Sequence, residues 1–263
     1  MNFQNVLFNK DSEKGIARIT INRPEVRNAL STAARRELRK IIEHIQSEED
    51  IRVVIITGAG DKAFISGADI VELKDATPVT MEEFASTLGQ KLFTDIENLK
   101  VPVIAMINGF CLGAGLEVAL CCDIRIAAEN ARFGQPEINI GIIPGGGGTQ
   151  RLARLIGWGR AKELIYTGRI IDAAEAERIG LVNKVVPQDK LEEEVKQLAE
   201  NIANKSPLIM KLLKKAINAG MYTDLAAGLA NEKANFALCF STEDHAEGIT
   251  AFLERRKPYF RGK

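Results

Sequence analysis

The sequence predicts an α/β fold, a strand-and-helix body followed by an all-helical tail. Two patterns carry this reading. Short apolar, β-branched runs alternate with amphipathic helical periods as far as Val186, and from Asp189 onward almost every segment has helical period alone. The change divides the chain into residues 1–188 and residues 189–263. With 263 residues, 46% hydrophobic and 27% charged, the composition is that of a packed globular protein and excludes a disulfide-stapled miniprotein or a largely disordered chain. The 35 Lys plus Arg balance 35 Asp plus Glu, so no overall field recruits nucleic acid or an anionic membrane.

The elements follow in order. Residues 6–8 and 16–21 read as a hairpin closed through Gly15. Ser31 is a usable N-cap for a helix with Leu38, Ile41, Ile42 and Ile45 on its apolar face and Arg35, Arg36, Arg39 and Lys40 on a solvated one. Residues 53–57 form a β-branched run ending at Gly58, as expected of a strand covered on both faces. Thr80 and Glu83 make a capping box for a helix to about Leu99, Pro102 breaks it, and residues 103–107 are the next buried strand. Residues 113–121 read as a short apolar helix, 124–127 as a strand and 141–148 as a glycine-rich turn. In the tail, Ser206-Pro207 supplies an N-cap followed by Pro at N1, and helices are expected near residues 224–238 and 242–256.

The apolar stretch 101–126 is interrupted by Asn108, Glu117, Asp123 and Arg125, so it reads as protein core, not as a membrane span. Residues 1–15 carry no secretory or organellar signal pattern, which makes the cytoplasm the expected compartment. Cys111, Cys121, Cys122 and Cys239 include no CxxC pair and read as buried reduced thiols.

Open α/β sheets bind ligands at the C-terminal ends of their strands, which directs attention to the loops after Thr57, Ile107 and Ala127. The first contains Ser66, Gly67, Ala68, Asp69 and Ile70; the second runs from Asn108 to Glu117 with small residues ahead of a helix N-terminus. Free N–H groups there suit a developing negative charge, although glycine spacing alone fits a simple tight turn better. Glu117 is the only charge between Phe110 and Cys122, and a lone carboxylate in apolar surroundings is costly unless used or paired. A helix-end acid reaching solvent or a capping donor is the plain alternative. Glu137 follows a strand and precedes the glycine turn; alone it reads as a surface-loop residue, but the pair could divide acid and base work. His44 and His245 are the only histidines, and no HExxH or Cys/His cluster occurs, so neither a metal site nor a Ser-His-Asp triad is expected. No Walker sequence or dinucleotide fingerprint is present.

These residues resemble the crotonase superfamily, most closely its enoyl-CoA hydratases. The motifs are Ile21-Asn22-Arg23-Pro24 with Asn28-Ala29-Leu30, residues 64–69, 108–123, 133–137 and 144–151. The resemblance implies a crotonase-like ββα spiral in residues 1–188 and a helical trimerisation region in residues 189–263, giving a trimer or a dimer of trimers. It implies reversible addition of water across the 2,3 double bond of an enoyl-CoA thioester, with coenzyme A as part of the substrate and no separate cofactor. By the same resemblance Ala68 and Ala114 offer the backbone N–H groups of an oxyanion hole, Glu117 and Glu137 are the catalytic carboxylates, and Gly145 is a backbone donor to the water. Ser66, Gly67, Asp69 and Ile70 join Gly145 as substrate-binding residues. Val71 stands where some hydratases carry a lysine near the CoA phosphates, and Glu25-Val26-Arg27 is less basic than its counterparts. The tail also resembles methylglutaconyl-CoA hydratases. An acyl-CoA isomerase or hydrolase of the superfamily and, more distantly, an RNA-binding scaffold using the basic helix are the competing readings.

Overall fold

The computed structural model describes residues 3–263. Met1 and Asn2, which begin the segment read for a targeting signal, lie outside the described residues. The chain opens with the antiparallel pair β1 (Val6–Asp11) and β2 (Ile16–Ile21), in register Val6 to Ile21, then α1 (Thr32–Ser47). Three units of like plan follow, each a strand, a second short strand and helix. The first is β3 (Val53–Gly58), β4 (Ala63–Ile65), α2 (Pro78–Phe84) and α3 (Gln90–Glu97). The second is β5 (Val103–Ile107), β6 (Phe110–Leu112) and α4 (Ala114–Cys121). The third is β7 (Ile124–Ala128), β8 (Arg132–Gly134), α5 (Gly148–Ile156) and α6 (Trp158–Thr167). Then come β9 (Ile171–Asp172), α7 (Ala173–Arg178), β10 (Lys184–Val186) and the helices α8 (Leu191–Ala203), α9 (Pro207–Met221), α10 (Leu225–Cys239) and α11 (Glu243–Leu253).

The leading strands stack into a six-stranded sheet, β1-β2-β3-β5-β7-β10, parallel from β2 onward. The short second strands stack into another, β4-β6-β8-β9, parallel except for its last pair. This is the ββα spiral that the resemblance implies. Each turn changes sheet at a tight corner, and Asn108 stitches two corners together by donating from Nδ2 to Gly58 O at 2.8 Å and Gly60 O at 2.6 Å. Gly109 is needed there, because a Cβ would meet Lys62 O at 2.2 Å.

The main core lies between the sheets and α1, α3 and α4, with Phe64, Phe93 and Phe133 wholly buried. The other face of the large sheet, including Val53, Ile55, Ile104 and Ile126, is covered by Leu191, Val195 and Ala199 of α8. Burial on both faces explains why β3 and β5 are continuous apolar runs. Beyond α8, α9 and α10 form an antiparallel-like pair, and buried Asp244 fixes the chain end by accepting from Ser206 Oγ and from the N–H groups of Arg261 and Gly262. All four cysteines are free; Cys111, Cys121 and Cys122 are buried and Cys239 partly so. Among the described residues no helix is long and apolar enough to cross a membrane.

Two expectations need correction. The helix expected from Thr80 begins at Pro78, with Thr77 as N-cap: Thr77 Oγ1 accepts from Thr80 N–H, and Thr80 Oγ1 accepts from Thr77 N–H, so the reciprocal partner is Thr80 and not Glu83. Arg35 is not on a solvated face. It is 3% exposed, its guanidinium lying 5.0 Å from the Phe84 ring and 5.1 Å from the Phe93 ring, with Nη1 donating to Leu88 O at 2.9 Å. Two aromatic faces and a carbonyl replace part of its water, Nε has no partner among the described residues, and burial lowers its pKa to about 10.

Candidate active site

The small sheet brings the two predicted loops into contact. β4 and β6 run parallel, so the chain leaving Ile65 and the chain leaving Leu112 emerge side by side. The approach is so close that a Cβ on Gly115 would lie 2.0 Å from Ile65 O. Gly67 and Gly113 both have positive φ, +139° and +51°, conformations that β-carbon sterics disfavour in other residues. Each turns the peptide that follows it. On one side Leu30 N–H donates to Gly67 O and Asp69 N–H to Leu30 O, which leaves Ala68 N–H on the opposite edge; on the other, Ala114 N–H is the first of the α4 helix. Among the described residues neither N–H meets a protein acceptor.

Glu117 follows one turn into α4 and is 3% exposed. Its Oε1 accepts from Gly146 N–H at 2.7 Å and from Gly148 N–H at 2.8 Å, while Oε2 has no donor among the described residues. Burial raises its pKa, opposed by these two N–H groups and by the charges of Arg35 and Arg151. The four glycines 145–148 make the cradle possible: a Cβ on Gly146 would lie 2.5 Å from the Phe93 ring, and one on Gly148 would lie 2.4 Å from the Gln135 amide.

Glu137 sits in a 3-10 turn, Pro136–Ile140, half-buried, with the backbone of Gly113 beside it: a Cβ there would be 3.1 Å from Glu137 Oε1 and 3.8 Å from Gly67 Cα. The wholly buried Gln135 amide, oriented with its nitrogen toward Glu137, donates to both carboxylate oxygens at 2.8 and 3.1 Å. Burial pushes Glu137 up to about 7, its own backbone N–H opposes the shift, and the Glu117 charge adds to it. The structure therefore brings Gly67, Ala68, Ala114, Glu117 and Glu137 to one place.

The other expected residues lie around it. Asp69 is engaged by Arg23, whose Nη1 and Nη2 both donate to Oδ2 at 3.1 Å, and so braces the Ala68 loop. Ser66 N–H donates to Arg27 O, Ile70 is exposed, and Gly145 is an exposed lip whose carbonyl accepts from Gln90 Nε2 at 3.2 Å. Val71 is exposed, and Arg27 stacks over Phe110 at 5.4 Å. Sequence reasoning missed Gly146, Gly148, Gln135 and Arg35. The run of four glycines was the available signal for the first two; nothing in the sequence marks a buried Gln or a helix arginine turned inward. Among the described residues no group of His, Cys, Asp or Glu is placed to hold a metal ion.

Comparison with known proteins shows the family and the fold. Residues 11–263 match the family model described as enoyl-CoA hydratase/isomerase. The chain is 49% identical to a short-chain-enoyl-CoA hydratase of Clostridium acetobutylicum, over 98% of this chain and 97% of that protein. It is 48% identical to a crotonyl-CoA hydratase of Syntrophomonas wolfei over the full length of both. The crystal structure of an enoyl-CoA hydratase from Bacillus anthracis superposes with a TM-score of 0.95 at 45% identity, covering 99% of this chain and all of that one.

Proposed function

The chain belongs to the enoyl-CoA hydratase/isomerase family, and from that premise we propose that it adds water to short enoyl-CoA thioesters through Glu117, Glu137 and the paired N–H groups of Ala68 and Ala114. The observation that carries this reading is the convergence of two carboxylates in unlike surroundings on two free backbone donors. The thioester oxygen accepts from Ala68 N–H and Ala114 N–H, and each donor aimed at the charge developing there contributes about 3–4 kcal/mol. Glu117, anchored through Oε1, keeps Oε2 for the water. As the water oxygen bonds to Cβ, Glu117 takes one of its protons, and Glu137 delivers its own proton to Cα. One proton transfer between the carboxylates resets the site, and the reverse sequence dehydrates the 3-hydroxyacyl thioester. With its pKa near 7, Glu137 is poised to give and to recover that proton.

Self-association is the second part of the proposal. Leu213, Ile217, Leu225, Leu229 and Phe236 of α9 and α10 are each more than half exposed, an apolar surface suited to contact with further copies as a trimer or a dimer of trimers. Residues 189–263 would then unite a sheet-covering helix with an oligomerisation region.

The test is hydration of crotonyl-CoA, followed as loss of the conjugated chromophore. Glu117→Gln and Glu137→Gln should each lower kcat by about 10²–10⁴. Rates near that of the parent in both variants would overturn the assignment. Incorporation of solvent oxygen into the product separates hydration from double-bond isomerisation, and a panel of short, long, branched and carboxylated enoyl thioesters tests the short-chain preference.

A further inference from the structure

Against the glycine run that holds Glu117 lies Arg151 of α5. Its Nη1 donates to Gly146 O at 3.1 Å, and its Nη2 donates to Glu97 Oε2 at 2.8 Å and to Thr94 Oγ1 at 3.1 Å. Glu97, at the end of α3, is buried; its Oε1 accepts from Tyr222 Oη at 2.6 Å, and its carbonyl accepts from Asn218 Nδ2 at 3.2 Å. A continuous run of bonds thus connects the end of α9 to the glycine run that holds Glu117.

We propose that Arg151 is a positioning residue for hydration: it fixes the peptide after Gly146 so that the N–H groups of Gly146 and Gly148 both point at Glu117 Oε1, and Glu97 and Tyr222 fix Arg151. The need for such a brace follows from the sequence. Four successive glycines have the largest backbone freedom available to a chain, and two donors meet one oxygen only if that freedom is removed. Arg151 can remove it because its planar fork is held from two sides; Nη1 also lies where a Cβ on Gly147 would stand, 2.2 Å away, so the fork and the glycine run are fitted to each other. The guanidinium charge acts in the same direction, favouring the ionised form of Glu117.

This proposal rests on the reading that Glu117 handles the water, and the test separates the two. Two rates are measured on the intact protein: hydration of crotonyl-CoA, and exchange of the Cα protons of butyryl-CoA with D₂O, which calls on Glu137 and the amide pair but adds no water. Arg151→Met should lower kcat for hydration by about 10- to 100-fold, leave KM within about threefold and leave exchange within about threefold. Added guanidinium ion should restore part of the lost rate where equal sodium chloride does not. Tyr222→Phe, which removes one hydroxyl, should lower hydration by about 3- to 10-fold with exchange unchanged, and it decides the matter if Arg151→Met fails to fold. Full hydration in the variant that decides, or equal losses in hydration and exchange, would overturn the proposal. Glu117→Gln is assayed alongside: if that variant hydrates at the parent rate, the reading of Glu117 fails and this proposal fails with it, whereas loss in Glu117→Gln with full activity in Arg151→Met defeats this proposal alone.

Discussion

Glu137 shows how one residue's surroundings set its chemistry. Its carboxyl carries a folded-state pKa near 7 against 4.5 for the ordinary group, first because burial penalises the charge. A carboxyl raised in this way binds its proton more tightly in the folded than in the unfolded chain. Its contribution to stability is fully present below about pH 4.5 and is lost as pH rises through about 7. Glu137→Gln should therefore stabilise the fold at pH 8 by on the order of 1–2 kcal/mol, after allowance for the part of the group that solvent screens, and should change little at pH 4. Urea unfolding at the two pH values checks both signs. The same proton sets a kinetic limb: the proposed mechanism needs Glu137 protonated for hydration, so kcat/KM should fall about tenfold per pH unit above about pH 7.

At the scale of elements, the site is a product of short strands. β4 and β6 hold three residues each, yet their parallel pairing is what sets the Ala68 loop beside the start of α4. Substitution at the two glycines should separate the functions of this junction. Gly67→Ala meets no close neighbour but demands φ +139° of a residue with a Cβ, so it should fold and lose about 10²-fold in kcat as the Ala68 N–H is misdirected. Gly115→Ala would drive a Cβ to 2.0 Å from Ile65 O and should cost about 3 kcal/mol in urea unfolding, because backbone on both sides resists displacement. These elements also mark how far the sequence could be read. The long β-branched strands β3 and β5, the hairpin, α1 and the tail helices were legible because period and length agree. The small sheet was not, since three residues are too few to show alternation. Arg35 was misplaced because helical period sorts residues by face and cannot foresee that Phe84 and Phe93, some fifty residues later, will cover part of the polar face. Glu117 was legible as an isolated charge; the glycine N–H groups that hold it come from about thirty residues downstream, beyond any local pattern.

At the scale of the molecule, three turns stack into two sheets and α9 to α11 present apolar side chains to solvent. Replacing Leu225 and Leu229 together by Glu should convert an assembled protein to single chains, read by sedimentation velocity, with the far-ultraviolet circular dichroism retained because neither residue contributes to the core. The sealed thiols of the spiral have a practical consequence. Burial raises the pKa of Cys111, Cys121 and Cys122, so in the native protein these sulfurs are shielded from an alkylating reagent and carry almost no thiolate, while Cys239 is partly accessible. Cys121 lies one helical turn beyond Glu117, and its Sγ donates to Glu117 O. Its slow modification, followed by mass spectrometry after Cys239 is blocked, becomes a clock for the opening of the helix that carries Glu117.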